Sequence, residues 1–281
     1  MTLRLTGAAH RAFDGRPPAP ADPYLVRIYS DMAQLYGTVF DQERFERANR
    51  NTFSDLARGL LDALPPQPDP FDLVVVASDV PDFEPRVSGV SYLTDALPGT
   101  PPGFALCDQG DAAPYTALRL AGQYAADGRA GRALVAVMDQ TTTPANPGPP
   151  RQGEDARDGA AALLLSADGP GAPIGVRQYG GLTRADAHAL LGEALPGGLG
   201  SLFVGGGLDP ELVAVPSGVT VESAPGEFPC SGVWALLAER VPDLAGQRRP
   251  VVLADYVPQG TDEEKGGELC FCVVDFGAAA A

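Results

Sequence analysis

Side chains able to do covalent or redox chemistry are sparse in this 281-residue sequence: four cysteines (Cys107, Cys230, Cys270, Cys272) and two histidines (His10, His188). Cys270 and Cys272 stand two apart in an apolar run, so on a strand both point to one face, and no second Cys or His pair lies at zinc-ligand spacing. Reduced core or site thiols are the plain reading of all four. His10 falls in an aperiodic stretch and His188 inside a helical pattern, where it reads as a surface or packing residue. Carboxylates are abundant, 36 Asp and Glu against 20 Lys and Arg, for a net charge of −16. That balance argues against a nucleic-acid binder, because a phosphate backbone demands clustered Lys and Arg. One carboxylate, Asp111, stands at the expected start of a helix. There it either accepts the orphan N–H groups of the first turn, typically worth ~1 kcal/mol, or acts as an acid or base if a pocket opens at that end.

The elements that must position these groups centre on Phe104–Asp139, which reads as a short strand, a tight turn, a helix, a glycine stop and a buried strand. The helix is expected from Asp111 to Gly128, with Pro114 in its first turn, where a missing N–H costs nothing. Leu118, Ala121, Tyr124 and Ala125 share one face. Ala133–Val137 is apolar on both faces, the mark of a central strand covered on two sides. Upstream, Phe53, Leu56, Ala57, Leu60, Leu61 and Leu64 follow a helical period after Thr52, and Phe71–Ala77 is a buried strand followed by a weak helix near Tyr92–Ala96. Residues 1–50 are poorly periodic and turn helix-like only from Tyr24. Downstream come a Pro/Gly-rich loop after Asp139, a strand at Ala160–Ser166, a helix at Thr183–Leu195 with Thr183 and Asp186 as a capping-box variant, short extended runs at Leu202–Val204 and Val219–Val221, a helix at Cys230–Arg240, and strands at Val251–Ala254 and Leu269–Val274. Strand–helix units recurring in two halves predict an α/β fold, a layered αβαβα sandwich, with residues 1–175 as one half and 176–281 as a shortened second. No apolar run reaches the roughly 18 residues of a membrane span and no signal-peptide pattern opens the chain, so a soluble cytoplasmic protein is expected.

The segment order resembles the thiolase-like condensing enzymes, in particular the ketoacyl-ACP synthase III group. In that family a strand delivers a Cys to the N-terminus of a buried helix, and a G-x-x-x-x-A-L-V strand follows; Gly128–Val135 (GRAGRALV) and Gly122–Tyr124 fit it, as do the preceding Asp72–Ala77 strand and its D-x-P-D loop and the later D-G-A-x-A-x-x-L strand at Asp158. The resemblance implies the αβαβα sandwich, no cofactor, and a Cys–His–Asn set.

Carried onto this chain, that set is absent. The Cys position falls on Asp111, with Cys107 four residues earlier and usable only after a register shift. The His position falls on Gly205 within Val204–Asp209, and the Asn turn on Gly226–Pro229, where Glu227 replaces Asn. The oxyanion turn becomes Asp255–Gly260, in which a proline removes a donor. The stretch between Ala167 and Leu182 is short, as if the usual substrate-tunnel elaboration were missing.

Two function classes follow. One is a non-catalytic, chain-length-factor-like subunit that pairs with itself or an active ketosynthase in polyketide or fatty-acid-type biosynthesis; the resemblance places its dimer interface on Ala133–Met138 and names acyl carrier protein or acyl-CoA as partners. The other is an active acyltransferase or acyl-processing enzyme, with Cys107 as acyl acceptor or Asp111 and Glu227 as an acid–base pair in one cleft. A ligand-binding or scaffold role is a third.

Overall fold

A strand apolar on both faces must lie between two cores, and Arg132–Asp139 (β4) does so in the computed structural model, which describes residues 3–35, 37–143, 156–259 and 266–278. Ala133, Val135 and Val137 enter one apolar cluster, and Leu134, Ala136 and Met138 another on the opposite face. The rest of the first half is β1 (Arg4–Phe13), α1 (Pro23–Leu35), α2 (Gln42–Arg47), α3 (Phe53–Ala63), β2 (Leu73–Ser78), α4 (Gly89–Ala96), β3 (Gly103–Leu106), α5 (Ala113–Ala126) and β5 (Asp158–Ser166). The second half holds β6 (Ala172–Leu182), α6 (Arg184–Ala194), β7 (Ser201–Val204), β8 (Thr220–Ser223), α7 (Gly232–Gln247), β9 (Pro250–Pro258) and β10 (Gly267–Asp275).

The strand order is β3-β2-β4-β5-β1-β6-β10-β9-β7-β8. Outward from the β1–β6 seam, each half shows the same arrangement: two antiparallel pairings, then two parallel ones. The halves join edge to edge where β1 pairs with β6 at Arg4–Pro173 and Leu5–Ala172, beside a further hydrogen bond from the Ile174 N–H to the Leu3 carbonyl. α5 packs on β2 and β4 of its own half and on β6 and β10 of the other, while α7 packs on β1 and β5 as well as β7 and β9. The two helices form the middle layer. α3 and α4 cover the outer face of the first half-sheet and α6 that of the second, which completes the αβαβα sandwich.

Helix ends follow their side chains. Thr52 and Asp55 close a capping box on α3, and Thr183 accepts from the Asp186 N–H on α6. α1 and α2 build a satellite cluster of Leu25, Tyr29, Ala33, Phe40 and Phe45 against Phe83.

Several sequence expectations change. The aperiodic N-terminus contains β1, a strand hydrogen-bonded to β5 along its length; its small residues Gly7, Ala8 and Ala9 carry no alternating signal. The stretch from Ala167 to Leu182 is mostly strand β6, whose half-exposed, glycine-broken sequence hides its period; position 175 therefore lies inside a strand. The expected dimer strand Ala133–Met138 is interior, paired with β2 on one edge and β5 on the other, so its backbone is not open to a partner strand; among the described residues the terminal strands of the sheet are β3 and β8. Most of the Pro/Gly loop after Asp139, and Gly260, lie outside the described residues. No helix among them is long and apolar enough to cross a membrane.

Candidate functional site

The two central strands end alike. Ser78 and Met138 are the last pair of β2 with β4, Val204 and Ala254 the last of β7 with β9, and each central strand then places an aspartate: Asp139 and Asp255. Both are buried, and each reaches across to the middle-layer helix of the other half.

Asp139 meets the chain just before α7. Its Oδ1 accepts from the Cys230 N–H at 2.8 Å, and its Oδ2 accepts from the Ser231 N–H at 2.8 Å and the Ser231 hydroxyl at 2.5 Å. Both oxygens are engaged, as a buried carboxylate at a helix start requires. Burial still pushes its pKa up from 3.8 to about 6, against those hydrogen bonds.

Asp255 meets a different helix start. α5 is preceded by a 3₁₀ turn at Gly110–Ala112, its N-cap is Ala112 with no side-chain cap, and Pro114 sits in its first turn. The group presented to Asp255 is a side chain, the Tyr115 hydroxyl, which donates to Oδ2 at 2.7 Å. Burial raises the pKa of Asp255 from 3.8 to about 7; the Tyr115 bond opposes the rise and the Asp139 charge adds to it. Burial, with the facing carboxylate, likewise drives the Tyr115 phenol well above its usual range.

The second oxygen of Asp255 lies at a glycine. A Cβ on Gly205 would overlap Oδ1, and one on Gly207 would overlap the Tyr256 carbonyl oxygen. The turn after β7 therefore closes onto the end of β9 only because both positions lack side chains.

These strand ends and helix starts enclose a cavity of about 250 Å³. Asp79, Asp111, Gly205–Gly207, Gly226, Phe228 and Asp255–Pro258 line it, and the exposed Arg184 stands at its wall with its guanidinium 5.7 Å from the centre of the Tyr256 ring. A second cavity of about 380 Å³ shares Arg184, Tyr256 and Pro258 and adds His188 and Leu212. His188 is buried, its Nε2 accepting from the Asp209 N–H at 2.9 Å, a packing role. His10 packs edge-on against Phe228, ring centres 4.8 Å apart, and burial beside Arg157 lowers its pKa to about 4.

The sequence-nominated residues separate. Asp111 lines the cavity, in the 3₁₀ turn and not as the N-cap of α5, because α-helical winding begins only at Ala113 and the 3₁₀ turn Gly110–Ala112 precedes it. Glu227 is absent from the lining. Its carboxylate faces Arg157 at 3.5 Å and its carbonyl accepts the Arg157 N–H, so the expected Asp111/Glu227 pair does not share one cleft. Cys107 follows the edge strand β3, also outside the lining, and its thiol lies 3.3 Å from the Asp108 carboxylate. Partial burial and that carboxylate raise its pKa; full burial does the same, more strongly, for Cys230 and takes Cys272 to about 12. None of these thiols is poised as a thiolate. Among the described residues, no group of three or more His, Cys, Asp or Glu is arranged to hold a metal ion.

Asp255 is the residue that sequence reasoning missed. Its signal was present: ALVAVMD and VVLAD are both buried strands ending in aspartate, one per half.

No protein-family model and no curated protein sequence matches this chain. Solved structures do. The tetronic acid condensing enzyme AbyA1 superposes with a TM-score of 0.63 at 17% identity, covering 97% of this chain and 99% of that one. ChlB3, an acyltransferase, gives 0.63 at 16% identity and 98% coverage of both chains. The 3-oxoacyl-(acyl carrier protein) synthase III FabH from Pseudomonas aeruginosa gives 0.59 at 16% identity and 98% coverage of both. The chain has the thiolase-like fold of these condensing enzymes.

Proposed function

We propose that this chain is a thiolase-fold subunit that does not extend acyl chains through a cysteine of its own, and that it serves as a chain-length-factor-like partner of an active ketosynthase, holding an acyl group in its cavity without a covalent bond. One observation carries the reading: where the condensing reaction needs a thiolate, an imidazole and an open oxyanion turn, this cavity presents Asp111, Gly205 already filled by Asp255, and Pro258. A carboxylate at the nucleophile position cannot carry the thioester that defines the first half-reaction, and no thiol lines the cavity to replace it.

Intact-protein mass spectrometry after incubation with acyl-CoA and acyl-carrier-protein thioesters tests this. The expected result is an unchanged mass for wild type and for Cys107→Ala, together with co-purification of a ketosynthase encoded beside this gene. An acyl adduct on wild type that disappears in Cys107→Ala would overturn the reading and make the chain an acyltransferase with a displaced nucleophile.

A further inference from the structure

The two half-repeats place Asp139 and Asp255 at equivalent points, yet use them differently. Asp139 has both oxygens engaged by the chain preceding α7. Asp255 has one oxygen engaged by Tyr115, while the other stands at Gly205, a lining residue of the 250 Å³ cavity that Asp255 itself lines. Among the described contacts the twin is braced through both oxygens, whereas Asp255 is braced across the halves through one. This one is held rigidly through Oδ2, with Oδ1 at a wall stripped of side chains.

We propose that Asp255 is a proton-transfer residue, positioned by Tyr115, which enolises a 3-oxoacyl compound bound in this cavity. The inference rests on the reading above that the cavity holds an acyl group non-covalently. In the forward step, Oδ1 takes the proton from the carbon between the two carbonyls, and the C–H electron pair becomes the carbon–carbon double bond of an enolate. The same proton is then delivered to the enolate oxygen, giving the enol and restoring the carboxylate. Nothing is oxidised and no group leaves. A doubly activated C–H is the carbon acid of an acyl compound most accessible to a carboxylate base. Burial and the Asp139 charge bring Asp255 to about pH 7, within the range in which a base both takes and returns a proton. The charged and titratable groups facing it are Tyr115 from α5, Asp139 from β4, the buried thiols of Cys230 and Cys270, and Asp79, Asp111 and Arg184 around the cavity.

The probe is 2-methyl-3-oxobutanoyl-N-acetylcysteamine in deuterated buffer near pH 6, its exchange at C-2 followed by NMR while equilibrium binding is measured in parallel by titration calorimetry. Wild type is expected to bind the probe and to accelerate exchange about 10²-fold over buffer, the low end for general acid–base catalysis. Asp255→Asn, which keeps the volume and the Tyr115 contact, is expected to bind it and return exchange to the buffer rate. Tyr115→Phe removes a bond that favours the carboxylate, so its exchange-versus-pH curve moves to higher pH, a readout that a merely structural tyrosine would not alter. Binding without accelerated exchange in wild type, or unchanged exchange in folded Asp255→Asn, overturns the inference and leaves the partner-subunit reading intact. Absence of binding overturns both the inference and the acyl-holding part of that reading.

Discussion

The Oδ1 oxygen of Asp255 fills the place where a Cβ on Gly205 would stand. An imidazole at position 205 and a carboxylate at 255 are therefore mutually exclusive in this backbone, and the two residues must be treated as one unit.

Gly205→Ala is expected to destabilise the fold by about 1–3 kcal/mol, the usual cost of overpacking a well-packed interior. Asp255→Gly on the same chain should return part of that loss. A double-mutant cycle in urea reads the coupling, and additive effects would show that the two positions are independent.

Asp139→Ala leaves the buried N–H groups of Cys230 and Ser231 without an acceptor, for an expected loss of about 1–3 kcal/mol. Asp139→Asn should cost less, since one oxygen remains. Urea midpoints at constant slope provide the comparison.

Asp255 and Asp139 have pKa values raised above the unfolded carboxylate value of 3.8, to about 7 and about 6. Raised acids favour the folded state in protonated form, so their contribution is full below about pH 4 and is lost as pH climbs through 6 to 7. Asp255→Asn does not titrate. Its stability relative to wild type should rise from pH 4 to pH 7 and then level off, as read from denaturation at each pH; a flat difference would show that the carboxyl titrates normally.

Of the four cysteines only Cys107 is partly exposed; Cys230, Cys270 and Cys272 are buried. Ellman's reagent should modify one thiol in the native protein and four in denaturant. Native labelling should accelerate with pH above neutrality, because Asp108 and partial burial hold this thiol protonated, and should vanish in Cys107→Ser.

Glu227→Gln should change stability by no more than about 0.2–1 kcal/mol, since its ion pair with Arg157 is partly exposed. Ligand binding in the cavity should be unaffected.

The legible parts of the sequence were those where burial imposes a period. Phe53–Ala63 buries one stripe and Ala133–Met138 buries both faces, so each shows its element type directly. β1 and β6 did not, because Gly7, Ala8 and Ala9, and Gly175, Gly180 and Gly181, supply neither alternating bulk nor β-branching. At the site, the family resemblance pointed to Asp111, Gly205, Gly226 and the Asp255–Pro258 turn, and all of them line one cavity. Glu227 and Cys107 escaped that logic by a residue or a few, and in a turn this shift decides whether a side chain enters a pocket or faces solvent. Asp255 stayed hidden because the resemblance draws attention to Gly205 as an expected histidine position, whereas in three dimensions a Cβ there would meet the Asp255 carboxylate.

The strand seam between the halves is short, yet the halves are bolted crosswise: Asp139 of the first holds the start of α7 in the second, and Asp255 of the second holds Tyr115 of α5 in the first. A cut in the connection between β5 and β6 would not release two stable fragments. Each piece would carry away a carboxylate whose hydrogen-bonding partners described above reside in the other, beside a middle-layer helix stripped of one of its sheets. The halves repeat each other in topology, but these cross-half contacts predict that the molecule unfolds as one unit, and the cavity lies at its joint.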